Sequence, residues 1–310
     1  MMIEPSDTGP GAPIGVFDSG VGGLSVLRAL RAALPHERFV YLADSAHAPY
    51  GERGDGYVAA RTRTIARHLR QAHGIKALVV ACNTATAAAI HEARSQHPDL
   101  PLVGVEPALK PAVALTRTGR VGVIATRGTL ASAKFQRLLA SLAGPVEFVV
   151  QPCDGLAYAI ERSTADTRDT DPATIEIRAL CERYTAALGR FGTEPGSIDT
   201  LVLGCTHYVF AEAALRSRIG PEVRLVETGE PVARQTRRLL EAAGALAPAH
   251  GAPLADPVRL FTTGELPLLQ AAARRWLDLP PQACALLPLP TVEATENAPA
   301  GVPATAIAAP

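Results

Sequence analysis

Residues 77–90 read ALVVACNTATAAAI, and residues 201–210 read LVLGCTHYVF. In both stretches a short apolar run ends in a cysteine, Cys82 or Cys205, followed by small hydroxyl or amide residues. A brief continuous apolar run bounded by turn formers reads as a strand buried on both faces, and the residues after the cysteine read as a helix start. Strands of this kind belong to parallel sheets covered by helices on either side.

The pattern extends outward from both stretches. IGVFD (14–18) reads as a strand, Ser19-Gly20-Val21-Gly22-Gly23 as a turn, and Val26, Leu27, Leu30 and Leu34 as the apolar face of a helix stopped by Pro35. FVYLAD (39–44) is a second strand, followed by a helix from about Tyr57 to His73 that ends at Gly74. The layout then restarts: VGVIATRGTLASAKFQRLL (121–139) repeats the strand, turn and helix of IGVFDSGVGGLSVLRAL. With Val121 placed on Ile14, Ala125-Thr126 falls on Asp18-Ser19, and TLVLGCTHYVFAEAAL answers ALVVACNTATAAAIHEA with Cys205 opposite Cys82. An internal duplication follows. The expected fold is therefore α/β, with two similar, pseudo-symmetric parallel-sheet domains and the active site in the cleft between them, at the carboxyl ends of the strands.

EPALKPAV (106–113) carries two prolines and reads as the first crossover between domains. VRLVETGEPVARQ (223–235) reads as a strand returning to the first domain before a helix at 232–243, and RLFTTG (259–264) as a short edge strand. The expected first domain is thus discontinuous, 14–108 plus 222–287, with 109–221 as the second. Residues 1–13 and 288–310 are rich in Pro, Gly, Ala and Thr without periodicity and are expected to be disordered tails.

The bulk numbers exclude several function classes. The chain has 310 residues, 47% apolar and 19% charged, and its 30 basic residues balance 30 acidic ones, so no net field recruits nucleic acid or an acidic membrane surface. The five cysteines, at 82, 153, 181, 205 and 284, contain no Cys-x-x-Cys pair for zinc and fit free thiols in a reducing cytoplasm. No signal-peptide pattern and no membrane-length apolar run is present.

Cys82 stands where Asn83, Thr84 and Thr86 open a helix, so the unpaired N–H groups and the helix dipole are expected to favour its thiolate. Cys205 repeats this with Thr206 as a capping candidate and His207 two positions on. Cys181 and Cys284 lack the context and read as structural; Cys153 is ambiguous. The turn DSGVGGLS departs from G-x-G-x-x-G at Ser25 and lacks a P-loop Lys, yet its helix N-terminus suits an anion such as a carboxylate. Asp18 reads either as a helix cap or as a proton carrier beside Cys82, and His207 either as a cap or core residue or as a relay to Cys205. In ADSAHAPYGERG (43–54), Tyr50-Gly51 offers a hydroxyl and backbone N–H groups to a ligand, or is simply a polar turn.

Taken together, DSGVGGLSVLRAL, PYGERG, VVACNTATAA, VGVEPALKPAV, ATRGTLASAKFQ and VLGCTHY resemble the glutamate racemases of the cofactor-independent Asp/Glu racemase superfamily, over about residues 14–265. The resemblance implies a cytoplasmic, commonly homodimeric isomerase that supplies D-glutamate for peptidoglycan, without a cofactor or metal. It implies Cys82 and Cys205 as the proton-transferring thiols, Cys82 acting on D-glutamate and Cys205 on the L form, with Asp18 and His207 assisting. Asp18-Ser19, Tyr50-Gly51, Asn83-Thr84, Thr126 and Thr206-His207 would hold the substrate. Glu161 matches the family's acid after its Cys-Pro stretch, although CDGLAYAIE has lost the proline; Val209 and Glu227-Thr228-Gly229 also depart from the family pattern. Sister enzymes acting on aspartate or hydantoins would share the thiols, and a one-cysteine decarboxylase would not. A Cys82/His207 amide hydrolase and a cleft that only binds ligand complete the alternatives.

Overall fold

The computed structural model describes residues 9–142, 144, 146–164, 168, 170–248 and 257–290. Its first half runs β1 (Ile14–Asp18), α1 (Leu24–Ala33), β2 (Phe39–Ala43), α2 (Asp55–His73), β3 (Ala77–Val80), α3 (Asn83–Gln96), β4 (Leu102–Gly104) and α4 (Leu109–Leu115). The chain continues through β5 (Arg120–Ala125), α5 (Arg127–Ala131), α6 (Ala133–Ser141), β6 (Glu147–Pro152), α7 (Leu156–Arg162), α8 (Pro172–Leu188), β7 (Thr200–Leu203), α9 (Glu212–Ile219) and β8 (Arg224–Val226). It ends with α10 (Gly229–Ala242), β9 (Val258–Thr262), α11 (Leu266–Leu277) and β10 (Cys284–Leu286).

The strands form two sheets, ordered β10-β9-β2-β1-β3-β4 and β6-β5-β7-β8, and every pairing is parallel. The order β2-β1-β3-β4 is that of β6-β5-β7-β8, so the halves share one topology. The registers agree in detail: Ile14 pairs with Ala77 and Val121 with Thr200, and the cysteines Cys82 and Cys205 each lie five residues beyond those partners. The duplication read from the sequence thus places the two thiols at equivalent strand ends.

Each sheet is covered on both faces, which is why β1, β2, β3 and β7 are buried along their whole length. In the first, Leu27 and Leu30 of α1, Val232 and Leu240 of α10, and Leu269 and Ala273 of α11 cover one face. Val58, Ile65 and Leu69 of α2, with Ala85 and Ile90 of α3, cover the other. Each of these Val, Leu and Ile side chains contributes roughly 1.5–3 kcal/mol when fully buried. In the second sheet, α7, α8 and α9 pack on one face, and α4, α5 and α6 on the other. Across the halves, the Trp276 ring of α11 stacks on Phe210 at 3.6 Å between centroids and 5° between planes, and Arg275 Nη1 donates to Ser163 O at 3.0 Å.

The strand expected to return to the first domain, β8, pairs with β7 in the second sheet instead. It is the counterpart of β4, a three-residue strand too short to show a pattern, and the crossover follows it. The segment at 259–264 is not an edge strand, because β9 lies between β2 and β10. Its neighbour β10 is built around Cys284. The expected tail at 288–310 starts later: Leu287 and Leu289 pack on the first core, and Leu287 N donates to Thr262 O at 2.8 Å. The expected tail at 1–13 likewise ends earlier, since Pro13 O accepts from Lys76 N at 3.0 Å and Gly9 O from Ala12 N at 2.9 Å; residues 291–310, like 1–8, lie outside the described residues. After Cys205 the chain enters a 3-10 turn, Thr206–Ala211, before α9, and no side chain caps it.

Candidate active site

The ends of β1, β3 and β7 converge on one tight cavity of about 30 Å³. Its lining includes Asp18, Ser19, Tyr50, Gly51, Cys82, Asn83, Thr84, Thr126, Glu161, Cys205, Thr206 and His207, so each residue that the resemblance implies for the reaction or the substrate reaches it. Ala48, Pro49, Ala157 and Tyr158 line it as well and carried no sequence signal beyond adjacency. Among the described residues no group of three or more His, Cys, Asp and Glu could hold a metal ion.

The first sheet supplies Cys82 as the N-cap of α3, its Sγ accepting from Ala85 N at 3.4 Å and donating to Ser19 Oγ at 3.6 Å. The expected lowering of this thiol is overturned. Burial, reinforced by the charge of Asp18, pushes Cys82 well above the ordinary thiol range, and the helix N-terminus only moderates the rise. Asp18 is itself fully buried, accepting from Ser19 N at 2.8 Å and Gly23 N at 2.5 Å. Burial pushes its carboxyl up to about 6, against His207 and the Gly23 N–H and with help from Glu161.

The second sheet supplies Cys205, whose Sγ lies 3.7 Å from His207 Nδ1, while His207 Nε2 lies 2.9 Å from Glu161 Oε1. Burial opposes charge on this imidazole, but the bonds to Cys205 and Glu161 outweigh it and hold His207 well above its ordinary value. Glu161 Oε1 also accepts from Val21 N at 2.6 Å. The N–H groups of the glycine turn after β1, expected to suit an anion, are engaged by the protein's own side chains, Gly23 N by Asp18 and Val21 N by Glu161. Its glycines are required by proximity: a Cβ on Gly20 would lie 1.5 Å from Glu161 Oε1, and one on Gly22 2.2 Å from His207 Nδ1.

Thr84 and Thr126 meet across the cleft at 3.2 Å, and Thr126 Oγ1 donates to Thr129 Oγ1 at 2.9 Å. Asn83 is buried with neither amide atom bonded among the described residues, leaving a free donor and acceptor at the cavity wall. Tyr50 brings its ring but not its hydroxyl, which donates to Asp44 Oδ2 at 2.5 Å, so the expected ligand hydroxyl is spoken for. Tyr41, unremarked in the sequence, donates to Gly20 O at 2.5 Å and fixes the glycine turn from below. Cys153 and Cys181 lie in the second core and do not line the cavity.

Pseudo-symmetric halves that each deliver a thiol to one shared cleft define the class, and the chain belongs to the Asp/Glu/hydantoin racemase family, whose pattern matches residues 14–236. Among its relatives, the glutamate racemase of Ectopseudomonas mendocina is 49% identical over 260 residues, 84% of this chain and 92% of the relative. That of Methylococcus capsulatus is 51% identical over 239 residues, 77% and 83% of the two chains. Similar solved structures include the Bacillus anthracis glutamate racemase isoform RacE1 (TM-score 0.73, 31% identity, 90% of this chain and 99% of that one). The Escherichia coli glutamate racemase, solved with L-glutamate and the activator UDP-MurNAc-Ala, matches with TM-score 0.72 at 31% identity over 86% and 95%.

Proposed function

We propose that the chain interconverts L- and D-glutamate by passing protons between two thiols, without a cofactor. The observation that carries this reading is that Cys82 and Cys205, at equivalent ends of duplicated strands, line one cavity from opposite halves. Racemisation needs a proton removed from one face of Cα and one returned to the other. The Cys82 thiolate takes the Cα proton of D-glutamate, leaving a planar carbanion whose electron pair spreads into the α-carboxylate. The Cys205 thiol then protonates the opposite face, giving L-glutamate and a Cys205 thiolate; the reverse reaction exchanges the roles.

Each turnover leaves the thiols' protonation swapped, so each side needs a route for a proton. On one side Cys82 Sγ, Ser19 Oγ and Asp18 Oδ1 follow one another at 3.6 and 3.5 Å; on the other stand Cys205, His207 and Glu161. A base contributes about 10²–10⁴ in rate, too little for so weak a carbon acid, so donors must also stabilise the carbanion. Asn83, Thr84, Thr126, Thr206 and Ser19, with the backbone at Tyr50 and Gly51, hold the substrate in this reading. The burial that disfavours a Cys82 thiolate makes it a stronger base once formed.

Incubation with L-glutamate in D₂O tests the reading: deuterium is expected at Cα and D-glutamate accumulates, and a folded protein giving neither would end it. The ratio of kcat/KM for glutamate and aspartate separates the sister substrate. We further read the protein as a cytoplasmic homodimer supplying D-glutamate for peptidoglycan, and so for cell wall biogenesis and cell shape, a reading supported by the family resemblance. Sedimentation at twice the chain mass is its expected signature. Closure on substrate takes place at the two crossovers, near residues 105–108 and 227–228, with the first sheet and its helices moving against the second.

Asp18 gives this reading a pH signature. Activity is expected to fall as pH drops through about 6 and its carboxyl is protonated, and Asp18→Asn should abolish that limb along with most of kcat. Stability should move the opposite way. A carboxyl raised from 3.8 to about 6 favours the folded state at low pH, and that contribution, about 3 kcal/mol, is lost as pH rises from about 4 to 6. Denaturant melts of both proteins across that window check the sign.

A further inference from the structure

Behind the cavity wall lies a second buried polar cluster that the proposed chemistry does not use. The side chains of Asp44 and Arg61 form an ion pair at 2.7 Å, both fully buried. Asp44 follows β2 and its N–H donates to Asp18 O at 3.0 Å, so it stands one strand from the proton carrier. Its Oδ2 accepts from Tyr50 at 2.5 Å and Arg61 Nε at 2.9 Å, and its Oδ1 from Arg61 Nη2 at 2.7 Å and Thr263 at 3.0 Å. The remaining guanidinium nitrogen, Nη1, donates to Pro290 O at 2.6 Å, on a segment that lays Leu287 and Leu289 against the core cluster to which Phe17 and Tyr50 belong.

Stability alone is a poor reason for such a pair, because apolar replacements of buried ion pairs are often neutral or stabilising. Position is a better one. The planar fork of Arg61 fixes the carboxylate in one orientation. That carboxylate fixes the Tyr50 hydroxyl, and with it the short turn Tyr50–Glu52 that faces the cavity. On its other side the turn meets the second half so closely that a Cβ on Gly51 would lie 2.8 Å from Thr126 Cβ. A small displacement of this turn therefore reaches both walls of the cleft.

We propose that Asp44 and Arg61 are the positioning residues of the turn bearing Tyr50 and Gly51, and that residues 287–290 complete them, making substrate affinity depend on the chain's own carboxyl-terminal segment. This rests on the reading of the cavity as a glutamate site. The test compares full-length protein with chains ending at Pro290 and at Leu286, and with Arg61→Lys and Tyr50→Phe. Calorimetry reads glutamate Kd, kinetics read KM and kcat for both enantiomers, and thermal melts report folding.

The chain ending at Pro290 should match the full-length protein. The chain ending at Leu286 should show Kd and KM raised about tenfold with kcat within about twofold, the scale of one or two lost hydrogen bonds. Full-length affinity in a folded chain ending at Leu286 would overturn the proposal. If that chain does not fold, Arg61→Lys and Tyr50→Phe decide: weakened binding with retained kcat supports it, and unchanged Kd in both overturns it. Absence of Cα exchange in the full-length protein would instead count against the racemase reading, since Kd is measured independently of turnover.

Discussion

Cys82→Ser and Cys205→Ser are each expected to lower kcat for racemisation by about 10³-fold or more in both directions, with far smaller changes in KM. A serine hydroxyl is a far weaker acid than a thiol and is not ionised by these neighbours, so each variant lacks a base in one direction and an adequate acid in the other. The effects should not multiply in the double variant, because one missing thiol already interrupts transfer between faces. The two singles should nonetheless differ in exchange. With Cys82 intact, Cys205→Ser can still remove and return the proton of D-glutamate on one face, so deuterium enters D-glutamate without L-glutamate appearing. Cys82→Ser should show the mirror-image behaviour with L-glutamate. Wild-type racemisation by either single variant would remove the two-thiol mechanism.

Gly20→Ala should also lower kcat heavily without touching a reacting atom. The added methyl would sit 1.5 Å from Glu161 Oε1, a distance no rotamer adjustment of its own can relieve, so Glu161 must leave Val21 N and His207. His207 then loses the partner that helps hold it protonated, and its ring loses its orientation toward Cys205. A misplacement near 1 Å in such an assembly costs about 10²-fold in rate, and kcat should fall by at least that. Asp18 and Cys82 lie on the other relay, so wash-in of deuterium from D-glutamate should suffer less than net racemisation. Equal losses in the two assays would mean that the turn acts on both thiols together.

The halves and their cysteines were legible because the information is local. A buried apolar run, a cysteine and a helix start occupy ten consecutive residues, and the duplication states them twice. Glu161 was harder to read, since it lies a full turn into α7, after a Gly155 in left-handed conformation and without the proline of the resembled pattern. Three-residue strands such as β4 and β10 carry too few residues to announce themselves, which left Cys284 without an element, and the sheet that β8 joins is set by its pairing with β7 and not by its own residues. The direction of the Tyr50 hydroxyl was invisible for another reason: it depends on Asp44, Arg61 and Thr263, whose meeting is set by the adjacency of β2 and β9 and not by spacing along the chain. The expected acidity of Cys82 failed similarly, because a helix end can be read from residues whereas the depth of burial around it cannot.

The stack of Trp276 on Phe210 has a practical corollary. Trp276 is the sole tryptophan of the chain, and its ring joins a helix of the first half to the turn that carries His207 in the second. Rotation of one half against the other must slide or part these two rings. The protein therefore contains its own optical gauge of cleft motion: intrinsic fluorescence, excited at the indole and unlabelled, should follow opening and closing in real time as glutamate arrives and leaves.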